Sequence, residues 1–492
     1  MKLIKKHIAI ILFAIFSFPT QVIWAQHREV PKKYINEEMT VEAPQRNRFS
    51  GTDIRSREFV DKKNSEWRAC HQENSFYAPF AGARDPITKF IESDLIIRDL
   101  KTAEENSLLA GGVTKMPWSG DYWPYANGIL GVRYLDSDFS QREDWLQKFE
   151  YVRSYPANKV IEEQGQSGIS ILSTSEKYDL LVGDQNFNLT DSMWQQGKQY
   201  YDEYGKVEIW MGICHGWAPA AIFENRPSKS VEIPSQNDMW KVHLNPSEIK
   251  GLVSYSWATN PYPTLTLGER CNQKNPPTNN EGRILTPECF DLNPATWHLA
   301  VINRLGMQKR SFVMDATYDY EVWNQPIVKY SYSYFNPQTG QEKKSWSDAI
   351  ITRSAFTKDR FASYRAPSAD QIIGIKMKVA YVIETAMNDL EEDLPEYDAI
   401  RWVEYLYDLE IDRDGKIVGG EWHLQSHPDF IWVPRVNSAP YSPMDKSLDI
   451  TAWDGISKLP QDWAEAARVS SPQGVMINTI SRSILRQAST PN

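Results

Sequence analysis

Cys214 stands in the run Trp210-Met211-Gly212-Ile213-Cys214-His215-Gly216-Trp217-Ala218-Pro219-Ala220-Ala221. An apolar stretch leads into Gly-x-Cys, and small residues suited to close packing follow. A cysteine where a chain turns into a helix feels the positive helix N-terminus, which favours the nucleophilic thiolate. Proline belongs in a first helical turn, so Pro219 predicts a helix that begins near Trp217 or is distorted around the proline. His215 is adjacent in sequence, and neighbours on a helix do not face each other. It is therefore not assigned as the base. The competing reading of Cys214 is a small buried hydrophobe.

A second segment offers the base. Residues 296–302 (TWHLAVI) and 311–317 (SFVMDAT) read as two strands joined around Gly306-Met307, where glycine supplies the positive φ of a type II′ turn. That register sets His298 opposite Asp315. It gathers Trp297, Leu299, Val301, Phe312, Met314 and Ala316 on one apolar face. Directly opposed side chains have Cβ atoms about 4.5–5.5 Å apart, within reach of a carboxylate–imidazole bond. Such a carboxylate fixes the tautomer and stabilises the imidazolium. Cys214, His298 and Asp315 then have the parts of a catalytic triad. The structural alternative is a plain pair within a hairpin.

These residues need a scaffold to position them. The chain has 492 residues, 41% hydrophobic and 24% charged, which excludes wholesale disorder. With 54 basic and 64 acidic residues the net charge is −10, so there is no global electrostatic case for nucleic acid. Eighteen Trp and 24 Tyr suit a core and aromatic clefts. Residues 1–25 read as a signal peptide with Lys2, Lys5 and Lys6 ahead of an apolar run too short to span a bilayer. No later segment is apolar enough to cross a membrane. Residues 26–65 read as a flexible arm, 66–455 as one large α+β domain, and 456–492 as a polar, partly helical tail.

Residues 90–100 and 102–109 have helical spacing, as do 176–182, ended by Gly183-Asp184. Residues 328–334 and 377–385 read as strands. Export permits disulfides. Cys271 and Cys289 flank a Pro/Asn-rich loop that a bridge could close, leaving Cys70 and Cys214 bonded to each other or free. Residues 410–421 (EIDRDGKIVGGE) place acids as a calcium loop does, but Glu opens the loop and the flanks look like strands. An Asp-Gly hairpin is the favoured reading. His423 and His427 are four apart without HExxH, which argues against zinc.

Several blocks together resemble the transglutaminase-elicitor family of oomycete cell-wall glycoproteins and bacterial relatives. They are PWSGDYWP (117–124), EKYDLLVGD (176–184), GICHGWAPAA (212–221), NPATWHLAVINRLG (293–306) and FVMDATYDYEVWNQP (312–326). Val322-Trp323-Asn324-Gln325-Pro326 matches the start of the peptide that plants recognise in oomycete members, and residues 327–330 depart from it in part. The resemblance implies a papain-like, transglutaminase-like cysteine-enzyme core with large insertions. It implies a secreted, or periplasmic, protein-glutamine γ-glutamyltransferase acting on protein Gln and Lys side chains. Cys214 carries over as nucleophile, and His298 and Asp315 fit the generic pattern. No cofactor is required by the sequence, with Ca2+ left open. Trp123 and Trp210 are candidates for a second oxyanion donor. The alternatives are a cysteine peptidase or amidase on the same scaffold, or a non-catalytic surface-binding protein.

Overall fold

The computed structural model describes residues 86–93, 95–268, 277, 292–316, 321–423, 427–440, 452–470 and 476–489. The signal segment, the arm, Cys70, Cys271 and Cys289 lie outside the described residues, while Cys214 is a free, buried cysteine. The architecture mixes helices with one large sheet. Its main strands are β1 (Thr264–Gly268), β2 (Val313–Asp315), β3 (Asn324–Phe335), β4 (Gln371–Ile383), β5 (Ala399–Ile411), β6 (Ile417–Trp422) and β7 (Phe430–Pro434). They run in the order β6-β5-β4-β3-β2-β7-β1, and every neighbouring pair is antiparallel. Three short strands on β3 and β4 complete a ten-stranded sheet. The alternation seen in 328–334 and the apolar run from 377 are indeed strand interior, in β3 and β4.

Successive strand residues point to opposite faces, and both faces here are covered. Val313, Val382 and Trp432 belong to one core, shared with the helices α2 (Cys214–Phe223), α3 (Pro246–Thr259) and α5 (Ile477–Ala488). Met314, Tyr381, Tyr405 and Tyr407 belong to the other, shared with α4 (Pro294–Ala300). Trp297, Tyr405, Tyr407 and Trp432 are among the aromatics that fill this two-sided interior.

Helix α1 (Thr174–Val182) ends as its sequence suggests, with Gly183 in the left-handed region at φ 73°. It starts at a capping box between Ser173 and Glu176. Arg133 binds that same Glu176, and Lys177 reaches Glu248 of α3 at 2.6 Å. The buried Lys177–Glu248 pair locks α1 to α3, the helix that backs the cysteine. The helical spacing of 90–100 and 102–109 is realised only in part. Short helices occupy Pro86–Ile91 and Leu100–Glu105, because Asp99 is extended and accepts a bond from the Thr102 N–H at 2.8 Å, starting the second helix afresh.

The hairpin expected around Gly306 is not formed. Asn293 caps α4 with its side chain, accepting from Ala295 N, and Pro294 occupies the first turn. A π-helical stretch, Val301–Met307, continues α4. The N-cap signal outweighed the apparent period-two pattern, because this helix is buried all round and shows no polar face. Gly306 serves close packing rather than a turn: a Cβ there would sit 2.4 Å from the Tyr330 hydroxyl. The segment read as a tail also differs. In α5, Ile477, Ile480, Ile484 and Leu485 are buried in the same core as α2 and α3. Residues 410–421 are the end and start of a β5–β6 hairpin, with Asp412 Oδ1 accepting from the Asp414 and Lys416 N–H groups.

Candidate active site

The chain approaches Cys214 through Gly212 and Ile213, which lie against residues 122–125. Ile213 N donates to Tyr122 O at 2.7 Å, and Tyr125 N donates to Met211 O at 2.8 Å. Trp123, at φ 43°, is held in the left-handed region, and Asp121 accepts its N–H at 3.0 Å. Burial lifts the Asp121 carboxyl to about 6. The Trp123 indole packs against Gly251 of α3.

Helix α2 begins at Cys214 itself, not near Trp217. Pro219 is accommodated inside it. The missing Pro219 N–H leaves the His215 carbonyl without its helical donor, and the Tyr262 hydroxyl lies 3.4 Å from that oxygen. Gly216 lets α2 lie directly on α3, since a Cβ would come within 2.2 Å of Ser254 O. No side chain caps the helix at Ile213, whose carbonyl accepts from Gly216 N at 2.8 Å and Trp217 N at 3.1 Å.

Cys214 is 1% exposed. Its Sγ accepts a hydrogen bond from Asn324 Nδ2 at 3.1 Å. The Asn324 Oδ1 accepts from the Trp432 indole N–H at 2.7 Å. Asp315 is the direct β2–β3 partner of Asn324, and its Oδ1 accepts from Trp323 N. Glu384, just past β4, accepts from Gln325 Nε2 at 2.8 Å. Burial pushes the Cys214 thiol up to about 12; the Asn324 donors pull it down, and the charges of Glu384 and Asp315 push it up. Burial thus opposes the thiolate that a helix N-terminus would favour.

The structure sets Asp315 beside Asn324 on the cysteine's side of the sheet and His298 on the other. Tyr405 and Met314 lie together on the α4 side of the sheet, where Trp297 packs on Tyr405 and His298 Nδ1 bonds the Tyr407 hydroxyl at 2.8 Å. Asp315 follows Met314 and so faces the other side, with Asn324 and Cys214. The expected His298–Asp315 pair is corrected accordingly. The other described histidines are also engaged elsewhere: His215 with the Ala258 backbone, His243 with Glu391, His423 with Asp408, and His427 stacked on Trp422. Among the described residues, then, the sulfur is bonded by the Asn324 amide, and the carboxyl groups of Glu384 and Asp315 and the hydroxyls of Tyr122 and Tyr125 lie within electrostatic range of it. Also among them, no cluster of three or more His, Cys, Asp or Glu is arranged to hold a metal, and no helix is long and apolar enough to cross a membrane.

A family model, described as Transglutaminase elicitor, matches residues 88–450. The chain belongs to that family. Among solved structures it is similar to the GP42 transglutaminase from Phytophthora sojae, with 22% identity, a TM-score of 0.48, and coverage of 74% of this chain and 94% of that one. No curated protein matches. In this family member the VWNQP block is interior: Val322, Trp323, Asn324 and Gln325 are each at most 1% exposed. It is the block that supplies Asn324 to the sulfur.

His298 gives a pH-dependent prediction. Burial depresses its imidazole to about 3, against 6.5 for a free one. The unfolded chain thus binds a proton below pH 6.5 that the folded chain refuses, and this contribution to stability is lost as pH falls from 6.5 toward 3. His298→Gln cannot titrate. It should cost about 1–3 kcal/mol at pH 8 by breaking the Tyr407 bond. The gap to the unmodified protein should then narrow by about 1.4 kcal/mol per pH unit below 6.5. Urea unfolding at pH 8, 6 and 5 reads both; a gap constant with pH contradicts the assignment.

Proposed function

We propose that this protein is a secreted protein-glutamine γ-glutamyltransferase built on a papain-like core. Membership of a family named for transglutaminases supports the class. The observation that carries the chemistry is the free Cys214 at the start of a buried helix, with an amide donor on its sulfur and carboxyl groups beside it. In this reading Cys214 Sγ forms a bond to the γ-carboxamide carbon of a substrate glutamine while the carbonyl π electrons move to oxygen. The thiol proton passes to one carboxylate, Glu384. When the carbonyl re-forms, the C–N bond breaks and ammonia leaves with that proton. A lysine amine then attacks the thioester, gives its proton to the same carboxylate, and the sulfur departs as thiol. The product is an isopeptide crosslink; water in place of the amine gives deamidation. The reaction as written draws on no cofactor.

The test is incorporation of a fluorescent primary amine into a glutamine-bearing protein, with ammonia measured in parallel, with and without added Ca2+. Covalent fluorescence with matching ammonia release is expected. Ammonia without incorporated amine, or cleavage of the substrate chain, would identify an amidase or peptidase instead.

A further inference from the structure

Three buried residues from distant parts of the chain form a single line: Trp432 on β7, Asn324 on β3 and Cys214 on α2. We infer that Asn324 is a catalytic hydrogen-bond donor to the reacting sulfur, and that Trp432 is the positioning residue that fixes which end of its amide faces that sulfur. The inference rests on the reading of Cys214 as the nucleophile.

The orientation follows from donor chemistry. An indole N–H can donate but not accept. The atom of Asn324 that meets Trp432 at 2.7 Å is therefore the oxygen, and the opposite end, the NH2, must meet the sulfur. An amide turned the other way would leave two buried donors, the indole N–H and the NH2, facing each other. Asn324 is fully buried and Trp432 nearly so, so neither can trade these bonds for solvent.

The consequence is chemical. A neutral thiol gains little from an N–H donor, whereas a sulfur carrying negative charge gains much more, because hydrogen bonds to ionised acceptors are roughly twice as strong. Asn324 therefore acts as the thiol gives up its proton and again as the thioester collapses, the two moments when charge sits on sulfur. The same geometry decides where the proton goes. The NH2 end cannot accept it, so the acceptor must be another group, and the carboxyls of Glu384 and Asp315 are the charged groups within electrostatic range of the sulfur. Burial opposes ionisation of this thiol, and a donor held in place needs no reorganisation at the moment of attack.

Asn324→Asp separates this role from a packing role. Aspartate has the shape of asparagine and still offers Trp432 an acceptor, but it sets a carboxylate against the sulfur in place of the donor. Trp432→Phe keeps an aromatic side chain, removes the indole N–H and releases the amide to turn. Alkylation of Cys214 by iodoacetamide, followed on its own peptide by mass spectrometry between pH 7 and 9, reports the thiolate directly and independently of any acyl transfer. In Asn324→Asp the alkylation rate should fall at least about tenfold at every pH. The kcat for amine incorporation should fall by roughly 10² or more, the scale for loss of one buried donor. Trp432→Phe should lower both by up to about tenfold with KM unchanged, and it carries the test if the aspartate variant does not fold. A folded Asn324→Asp protein alkylated at the unmodified rate overturns the inference, while leaving the transferase reading standing. Slowed alkylation in a protein that never incorporates amine supports the donor and overturns the transferase reading instead.

Discussion

Cys214→Ala should abolish amine incorporation, a fall of at least about 10⁴-fold in kcat, while the protein remains folded. The sulfur is the atom to which the acyl group is bonded, and no neighbouring described group can replace it: Asn324 presents N–H, and Glu384 and Asp315 are carboxyls that a thioester route uses only to move protons. The structural cost is small by comparison. Alanine leaves one Asn324 donor without its acceptor, worth about 1–3 kcal/mol, and the helix loses one atom. Cys214→Ser refines the result. Its hydroxyl keeps an acceptor for Asn324, so thermal unfolding should return close to that of the unmodified protein. Serine is nevertheless a far weaker nucleophile without a strong base, and activity should stay near that of the alanine variant. Substantial amine incorporation by either would move the chemistry to another residue. Loss of activity accompanied by loss of cooperative unfolding would mean that the sulfur is there for packing.

The close packing of the segment around Cys214 is legible because its signals are local, although its helix starts three residues earlier than Pro219 suggests. Small residues permit α2 to lie on α3, and Gly-x-Cys announces a helix start; Gly216 shows the need directly. Helix α1 and its glycine stop were equally local, as was the Asp412 hairpin. The histidine was misread for a physical reason. Residues 296–302 are buried on every side, so hydrophobic alternation carries no information about which period they follow. The informative residues were Asn293 and Pro294, a cap and a first-turn proline, which outrank the pattern after them. Asp315 lies near the cysteine for a reason unrelated to His298, namely its pairing with Asn324 across β2–β3. Asn324, Glu384 and Trp432 were out of reach of sequence reasoning. Asn324 stood in a block notable for its aromatics, and nothing in its spacing says that it meets a sulfur 110 residues earlier. A polar amide within an apolar strand is the one hint, since such a group is buried only with partners.

The largest stability effect belongs far from the sulfur, at Arg365. Its guanidinium is fully buried and holds three carboxylates: Asp359 through Nε at 3.0 Å and Nη2 at 2.9 Å, Asp408 through both terminal nitrogens, and Glu410 at 3.4 Å. Glu410 also accepts the Ala366 N–H, and His423 bonds Asp408 at 2.8 Å. The cluster pins residues 359–366 to β5, the strand that carries Tyr405 and Tyr407 beneath α4. Arg365→Met keeps volume but strands three acids in the interior, which should cost about 3–5 kcal/mol at pH 7 in urea unfolding. The pH dependence discriminates charge from packing. In the intact cluster Arg365 and His423 hold the Asp408 carboxyl far below its usual range, against the opposing effect of burial. That contribution is present above the unfolded carboxylate pKa and is lost as pH falls below it. In the methionine variant the acids instead gain by taking up protons, so the difference between the two proteins should shrink as pH drops from 7 toward 4. A penalty that stays constant over that interval would assign the loss to side-chain packing on Phe361 and Phe356 rather than to unpaired charge.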